Sequence, residues 1–324
     1  MHWARYLLSS RHTRVVGLDI SSSAVKLVEL SRIHTQYCVQ TMGRQDLADH
    51  VMVGNAVNDM PALADAIHTL LNQLDLMPHA EGRLRAVIAV PDACTITRTV
   101  QVSERLSERD LEELAWLELS QCIPDAIEEL YYDFKRLGHT DQPGIYPMLI
   151  MAARAQYVQD RIAALRHIGL AVSVVDIESF ALQRMLPGFL ESIPSAEMIA
   201  ILDLGARFLK IFFFQHGRLI FMHTEEFGLS ALHYPAGVLL RYQRACHFLY
   251  TEHPQAGTLS HMILAGGGVI RYTHLLSWLQ EQCDVPVYRA DPFAQMQITE
   301  HCDGAMLQQD APLYVTACGL AKRV

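Results

Sequence analysis

Short apolar runs of strand length alternate with stretches of helical spacing along most of the chain, which is the pattern of an α/β fold. Residues 15–20 and 25–30 are β-rich runs parted by Ser21-Ser22-Ser23 and read as a hairpin. Helical spacing follows over 62–74, a strand over 84–90 ends at Pro91, and another strand covers 95–102. Ser107 is placed to cap a helix over 107–122, with Asp110 three residues on and Leu111, Ala115, Leu119 and Cys122 along one face. Strands at 130–137 and 147–153 precede a helix over 155–168 that Gly169 is placed to end. A strand over 172–177 then runs into a short helix over 178–185. Pro187, Gly188, Ser192, Pro194 and Ser195 mark 187–197 as a linker. Beyond it, 198–204, 209–214 and 219–223 read as strands and 229–250 as a helix whose first turns contain Pro235 and Gly237. A strand at 262–264 opens onto Gly266-Gly267-Gly268, and helices are predicted over 269–282 and 315–323.

One part of this pattern repeats. Val15-Val16-Gly17-Leu18-Asp19-Ile20-Ser21 matches Ile199-Ala200-Ile201-Leu202-Asp203-Leu204-Gly205 at a constant offset of 184 residues. The register holds through the next strand, where Lys26 falls opposite Lys210 and Leu27 opposite Ile211. Each copy is an apolar strand ending in Asp, a small-residue turn and a second apolar strand. Two such units predict a duplicated domain with a cleft between the halves. A length of 324 residues suits two domains at ~150 residues each. The expected division is a first lobe at 14–197, carrying an insertion at about 85–154, and a second at 198–324.

Composition narrows the function. Hydrophobic residues make up 51% and charged residues 19%, so the chain is globular. A mean hydropathy of +0.13 implies a large core or a surface covered by partners. The net charge of −9, with no basic stripe, argues against nucleic acid as a partner. Seven scattered cysteines without a CxxC pair read as reduced core thiols of a cytoplasmic protein, and the sixteen histidines form no compact zinc pattern. No apolar run approaches the ~20 residues that span a bilayer, and residues 1–14 lack the apolar core and cleavage site of a signal peptide.

The hairpins suggest a chemistry. Turn N–H groups and hydroxyls can hold phosphate oxygens, while the preceding aspartate can hold Mg²⁺ through water. Asp19, Ser21, Ser22, Ser23 and Lys26 are the first set of candidates; Asp203 and Gly205 are the second. Gly266, Gly267 and Gly268 form a third, at a strand-to-helix junction where backbone approaches a nucleotide closely. Glu178 opens a helix in the hinge region and is a candidate to orient an attacking water, although a carboxylate in a first turn is also ordinary capping. Neither GxxxxGK[ST] nor GxGxxG is present.

Leu18-Asp19-Ile20-Ser21-Ser22-Ser23-Ala24-Val25-Lys26-Leu27-Val28-Glu29-Leu30-Ser31 resembles the first phosphate loop of the PilM family of type IV pilus assembly proteins. Ala89-Val90-Pro91, Leu106-Ser107-Glu108-Arg109-Asp110-Leu111 with Ile123-Pro124, and Ala152-Ala153-Arg154 carry the likeness onward. So do Val175-Asp176-Ile177-Glu178-Ser179-Phe180-Ala181-Leu182, Ala265-Gly266-Gly267-Gly268 and Asp291-Pro292-Phe293. The resemblance implies a two-lobed actin-like (ribonuclease H-like) ATPase fold with a small FtsA-like α/β subdomain inserted in the first lobe. It further implies ATP and Mg between the lobes and the cytoplasmic N-terminal tail of the inner-membrane protein PilN in a groove beside the inserted subdomain. The face near Leu111, Leu114 and Leu119 reads either as core, the safer reading for any single residue, or as lining of that groove. Other pilus assembly proteins and a peripheral place at the inner membrane are implied as well. The chain departs from the family pattern in two places. Ala206-Arg207-Phe208 stands where relatives carry small or hydroxyl residues, and only about thirty residues fill the position of a longer helical subdomain over the base. A small-molecule phosphotransferase and the cytoplasmic domain of a GspL-type secretion protein are the competing readings.

Overall fold

The computed structural model describes residues 14–34, 36–77, 84–123, 127–138, 143–191, 197–231, 234–299, 302 and 304–323. The N-terminal stretch before Arg14 and residues 192–196 of the expected linker lie outside the described residues.

The first sheet begins with β1 (Arg14–Ile20), β2 (Ala24–Ile33) and β3 (Gln36–Asp46), an antiparallel meander. No hydrophobic run announces β3, of which only Cys38 and Val39 are buried. A small ribbon of β4 (Met52–Val53) and β5 (Ala56–Val57) leads to α1 (Met60–Gln73), capped by Asp59. β6 (Leu84–Val90) then pairs parallel to β1.

The inserted unit follows: β7 (Thr95–Ser103), α2 (Glu108–Cys122), β8 (Leu130–Arg136) and β9 (Ile145–Arg154). Its strands form a separate sheet in the order β7-β9-β8. Ser107 caps α2 through a reciprocal box with Asp110, which supplies both the start signal and the first-turn charge. α3 (Ala155–His167) and β10 (Ala171–Ile177) return the chain to the first sheet, where β10 lies parallel to β6.

α4 (Glu178–Leu190) is longer than its sequence suggests and carries Pro187 in its last turn. Tertiary burial of Ala181, Leu182, Met185, Leu186 and Phe189 outweighs the hydrogen bond that proline removes. The expected linker therefore begins after Leu190 instead of at Pro187.

The second sheet repeats the first. β11 (Met198–Leu204), β12 (Phe208–Gln215) and β13 (Arg218–Glu226) are an antiparallel meander, and β14 (Leu259–Ala265) and β15 (Val287–Arg289) join parallel. Its order, β13-β12-β11-β14-β15, is the counterpart of β3-β2-β1-β6-β10 in the first. α5 (Tyr234–Glu252) starts five residues later than predicted, with Pro235 in its first turn, where a missing N–H is harmless. The helix expected over 269–282 is two, α6 (Gly267–Arg271) and α7 (Leu275–Gln282). Tyr272 breaks it: its ring stacks on Tyr234 at 4.4 Å and its hydroxyl donates to Leu229 O.

The remaining elements are β16 (Gln297–Ile298), α8 (Gly304–Asp310) and α9 (Val315–Ala321). Here the chain returns to the first sheet. β16 pairs with β3, and α9 packs on β1, β2, β6 and α4 with every residue buried. α4 and α9 thus form a layer between the two sheets. Ile199, Ile201, Phe212 and Phe214 face that layer, while Ala200, Leu202, Ile211 and Phe213 alternate to the side covered by α5 and α7. α1 and α3 cover the far face of the first sheet.

Candidate functional site

The two hairpins point their turns into one cavity of about 340 Å³. In the first, Asp19 and Lys26 are register partners, and Lys26 Nζ donates to Asp19 Oδ2 at 2.6 Å and to Ser21 Oγ at 3.2 Å. The Ser21 N–H and hydroxyl both donate to Ala24 O, at 3.0 and 2.8 Å, which closes the turn. In the second, Asp203 and Lys210 are again partners across the ladder, and Gly205 N–H donates to Phe208 O at 3.0 Å.

The symmetry ends at the side chains. Lys210 Nζ turns away from Asp203 and contacts both carboxylate oxygens of Glu178 at 2.6 Å. Glu178 is the first residue of α4, directly after the first sheet, so this ion pair ties the two halves together across the cleft. Asp203 has no ion-pair partner among the described residues. Burial pushes its carboxyl up to about 6 against the pull of Lys210, with the nearby Glu178 charge adding to the rise. Burial also works against the Lys210 ammonium, but Glu178 and Asp203 outweigh it and hold its pKa above the ordinary lysine value.

Two further residues belong to this centre. Asp92, just after Pro91, accepts from Ser179 N–H at 3.0 Å and from the Ser179 hydroxyl. It thereby caps α4 from a distant loop and fixes where Glu178 stands. Burial and the Glu178 charge raise its carboxyl to about 6. Arg161 of α3 also lines the cavity while remaining 1% exposed. Nothing in the sequence announces either one. Asp92 reads as a turn residue and Arg161 as a solvated position on an amphipathic helix.

Of the predicted site residues, Asp19, Ser21, Ser22, Ser23, Lys26, Glu178, Asp203, Gly205, Gly266 and Gly267 line the cavity. Gly266 has φ +85°, and a Cβ there would lie 2.5 Å from Asp203 Oδ1, so only glycine lets this turn approach the carboxylate. Its N–H is engaged by Pro312 O at 2.8 Å. Gly267 is open to the cavity. Gly268 is corrected from a cleft residue to a packing residue: a Cβ there would meet Leu204 Cβ and Tyr234 Oη at 2.7 Å. Arg207 pairs outward with Glu226 at 2.8 Å and leaves the second turn without a side-chain donor.

Of the two readings of the face near Leu111, Leu114 and Leu119, the structure favours core. Leu111 and Leu119 are fully buried under the three-stranded sheet with Val102, Met148 and Ile150, and half-buried Leu114 packs against the same cluster. They form the subdomain core, because the apolar face of an amphipathic helix over a three-stranded sheet has no other cover.

The site can hold an anion and a hard cation together. Asp19 and Asp203 both put carboxylates on the wall of one cavity, and the two turns and lysines beside them are potential donors and positive charge. Among the described residues no group of three or more His, Cys, Asp or Glu forms a metal site by itself, so water or ligand oxygens would complete any magnesium shell. All seven thiols are free. No described helix is long and apolar enough to cross a membrane.

Two sheets of one topology, meeting through Asp-led hairpins at a shared cleft and separated by a helical layer, define a two-lobed actin-like α/β protein. The model of the family "Type IV pilus assembly protein PilM" matches residues 17–234 and 233–324. The chain belongs to the PilM family. Among solved structures, the PilM–PilN type IV pilus biogenesis complex is similar at a TM-score of 0.79 and 24% identity, covering 95% of this chain and 98% of that one. The cytoplasmic domain of EpsL, an inner membrane component of the type II secretion system of Vibrio cholerae, is more distant at a TM-score of 0.48 and 10% identity, covering 96% of each chain. The ethanolamine utilization protein EutJ from Carboxydothermus hydrogenoformans has a TM-score of 0.48 and 12% identity, covering 98% of this chain and 96% of that one. Likeness at that distance carries no functional weight.

Proposed function

We propose that this PilM-family protein is a scaffold of the type IV pilus assembly platform, held at the cytoplasmic face of the inner membrane by the N-terminal tail of a PilN protein, and that ATP with Mg acts in its cleft as a conformational ligand. The observation that carries the ligand role is the Lys210–Glu178 pair, whose 2.6 Å contacts join the two halves where phosphate would enter. A polyphosphate competes for Lys210, so its arrival changes what links the lobes. Ser21, Ser22, Ser23, Lys26, Gly205 and Gly267 would hold the phosphates, and Asp19 and Asp203 would hold magnesium through water. The bound metal would supply charge neutralisation for the phosphates. Glu178 has both oxygens engaged by Lys210, and orienting a water would require that pair to open. This favours a ligand that is held over one that is rapidly turned over. PilN is supported as partner by the family and by the complex in which a PilM protein of this fold was solved.

The test uses the full chain and two titrations. A labelled peptide of the PilN N-terminal tail is expected to bind saturably, whereas a scrambled peptide does not. Equal binding of the two would remove the docking role. Mg-ATP is expected to bind the wild type and to bind Asp19→Asn more weakly. No heat or fluorescence change at millimolar nucleotide would remove the ligand role and leave the scaffold.

A further inference from the structure

Arg161 lines the cleft with no ion-pair partner among the described residues. Among the described residues it is one of the largest side chains with less than 2% exposure, and it lies midway along α3. Nη1 donates to Tyr157 O at 3.0 Å and Nη2 to Asn55 O at 2.9 Å, both main-chain carbonyls. Nε is buried and has no hydrogen-bond partner. Among the described residues no carboxylate lies within ion-pair distance of the guanidinium. Taking a cation out of water without a paired charge is expensive, and proteins avoid it unless something else compensates. Joining α3 to the ribbon at Asn55 does not explain the charge, because a neutral donor would make the same contact without the desolvation.

The surroundings point to what compensates. Arg161 and Asn55 share the cavity wall with Asp19 and the Ser21–Ser23 turn, on the side of the first sheet. Ile270, Arg271 and the Gly266-Gly267 turn line the wall contributed by the second sheet. A phosphoryl group is small and doubly charged, and it suits a planar donor fork set beside a serine turn.

We propose that Arg161 is a ligand-binding residue that receives the terminal phosphoryl group of a polyphosphate chain, either free or carried by a nucleoside triphosphate. This rests on the reading of the cleft as a phosphate site. It adds a direction to that site, with the last phosphate toward α3 and the rest of the ligand toward the glycine turn.

The experiment is calorimetric titration of the full-length wild type, Arg161→Met and Arg161→Lys with Mg-ATP, Mg-ADP and magnesium tripolyphosphate. Wild type is expected to bind ATP more tightly than ADP. Arg161→Met should lose about 10- to 100-fold in affinity for ATP, the scale of a charge-assisted hydrogen bond, and less than about 2-fold for ADP. Arg161→Lys keeps the charge but not the fork, so it should lie between; it decides the matter if the methionine variant does not fold. Tripolyphosphate binding as tightly as ATP assigns the subsite to free chains, and ATP binding alone assigns it to nucleotides; either supports the proposal provided the loss follows the third phosphate. ATP and ADP weakened equally, or not at all, in a folded variant would overturn it while leaving the nucleotide reading in place. A wild type that binds neither ATP nor tripolyphosphate removes both.

Discussion

Lys210→Met breaks the link between the lobes and strands a carboxylate. Glu178 and Lys210 have side chains only 10% and 18% exposed, and their contacts are 2.6 Å. Removing one partner of a buried pair costs about 3–5 kcal/mol, because the remaining charge is left desolvated. Water reaching the cleft relieves part of this, so the expected loss is about 2–4 kcal/mol. At ~2.1 cal/mol/K of unfolding entropy per residue, a chain of this length shifts by about 1.5 °C per kcal/mol, which gives a fall of about 3–6 °C. The assay is thermal and urea unfolding at pH 7.5 of Lys210→Met, Glu178→Gln and the double variant. If stranded charge is the cause, the double variant recovers at least half of the loss. A double variant no better than Lys210→Met, or a single variant within about 0.5 kcal/mol of wild type, would refute the argument, since surface-like pairs show effects that small.

Asp92 and Asp203 both titrate near 6 in the fold, above the ordinary aspartate value. The native state therefore binds more protons than the unfolded chain between pH ~4 and ~6, so stability falls as pH rises through that window and levels off above it. Each group contributes up to about 3 kcal/mol to the fall, and Asp92→Asn should remove about half of the combined slope; an unchanged slope in urea melts from pH 4 to 7 would contradict this. Gly319→Ala places a Cβ 2.1 Å from Ala181 O, where α9 crosses α4. Backbone must move, and a loss of about 3 kcal/mol or more is expected, read as a lowered melting temperature or loss of soluble protein. Ser107→Ala removes the capping box of α2 and should cost about 1 kcal/mol, confined by hydrogen exchange to the inserted subdomain.

The hairpins were legible because their signal is local. A strand, an aspartate, a small-residue turn and a second strand lie within about sixteen residues, and a strict register shows the duplication without any contact being known. α2 was legible for the same reason, since Ser107 and Asp110 cap it within one turn. The errors arose where distant packing decided. Pro187 and Gly188 carry a linker's composition yet end a helix whose apolar face is buried between the sheets. Val269 to Gln282 has helical spacing, but Tyr272 leaves the helix to stack on a ring thirty-eight positions earlier. Leu111 and Leu119 stood open between core and groove, with core favoured, and the sheet packed beneath them decides for core.

The candidate site divides along the same line. Sequence alone determined that two Asp-led turns exist, that they are equivalent and that a glycine turn accompanies them, because each is written in neighbouring residues. It carried the resemblance to the PilM family in the order of those motifs, which the family model then established. Tertiary structure decided which side chains meet. Lys210 pairs with Glu178 instead of its own register partner, Asp92 caps α4 across 87 positions, and Arg161 is buried in the wall of the cavity. Hydrophobic periodicity reports which face of an element is buried, but a charge is placed by whatever burial brings beside it. That depends on the whole fold, so the electrostatics of the cleft became visible only when both sheets and the helices between them were in place.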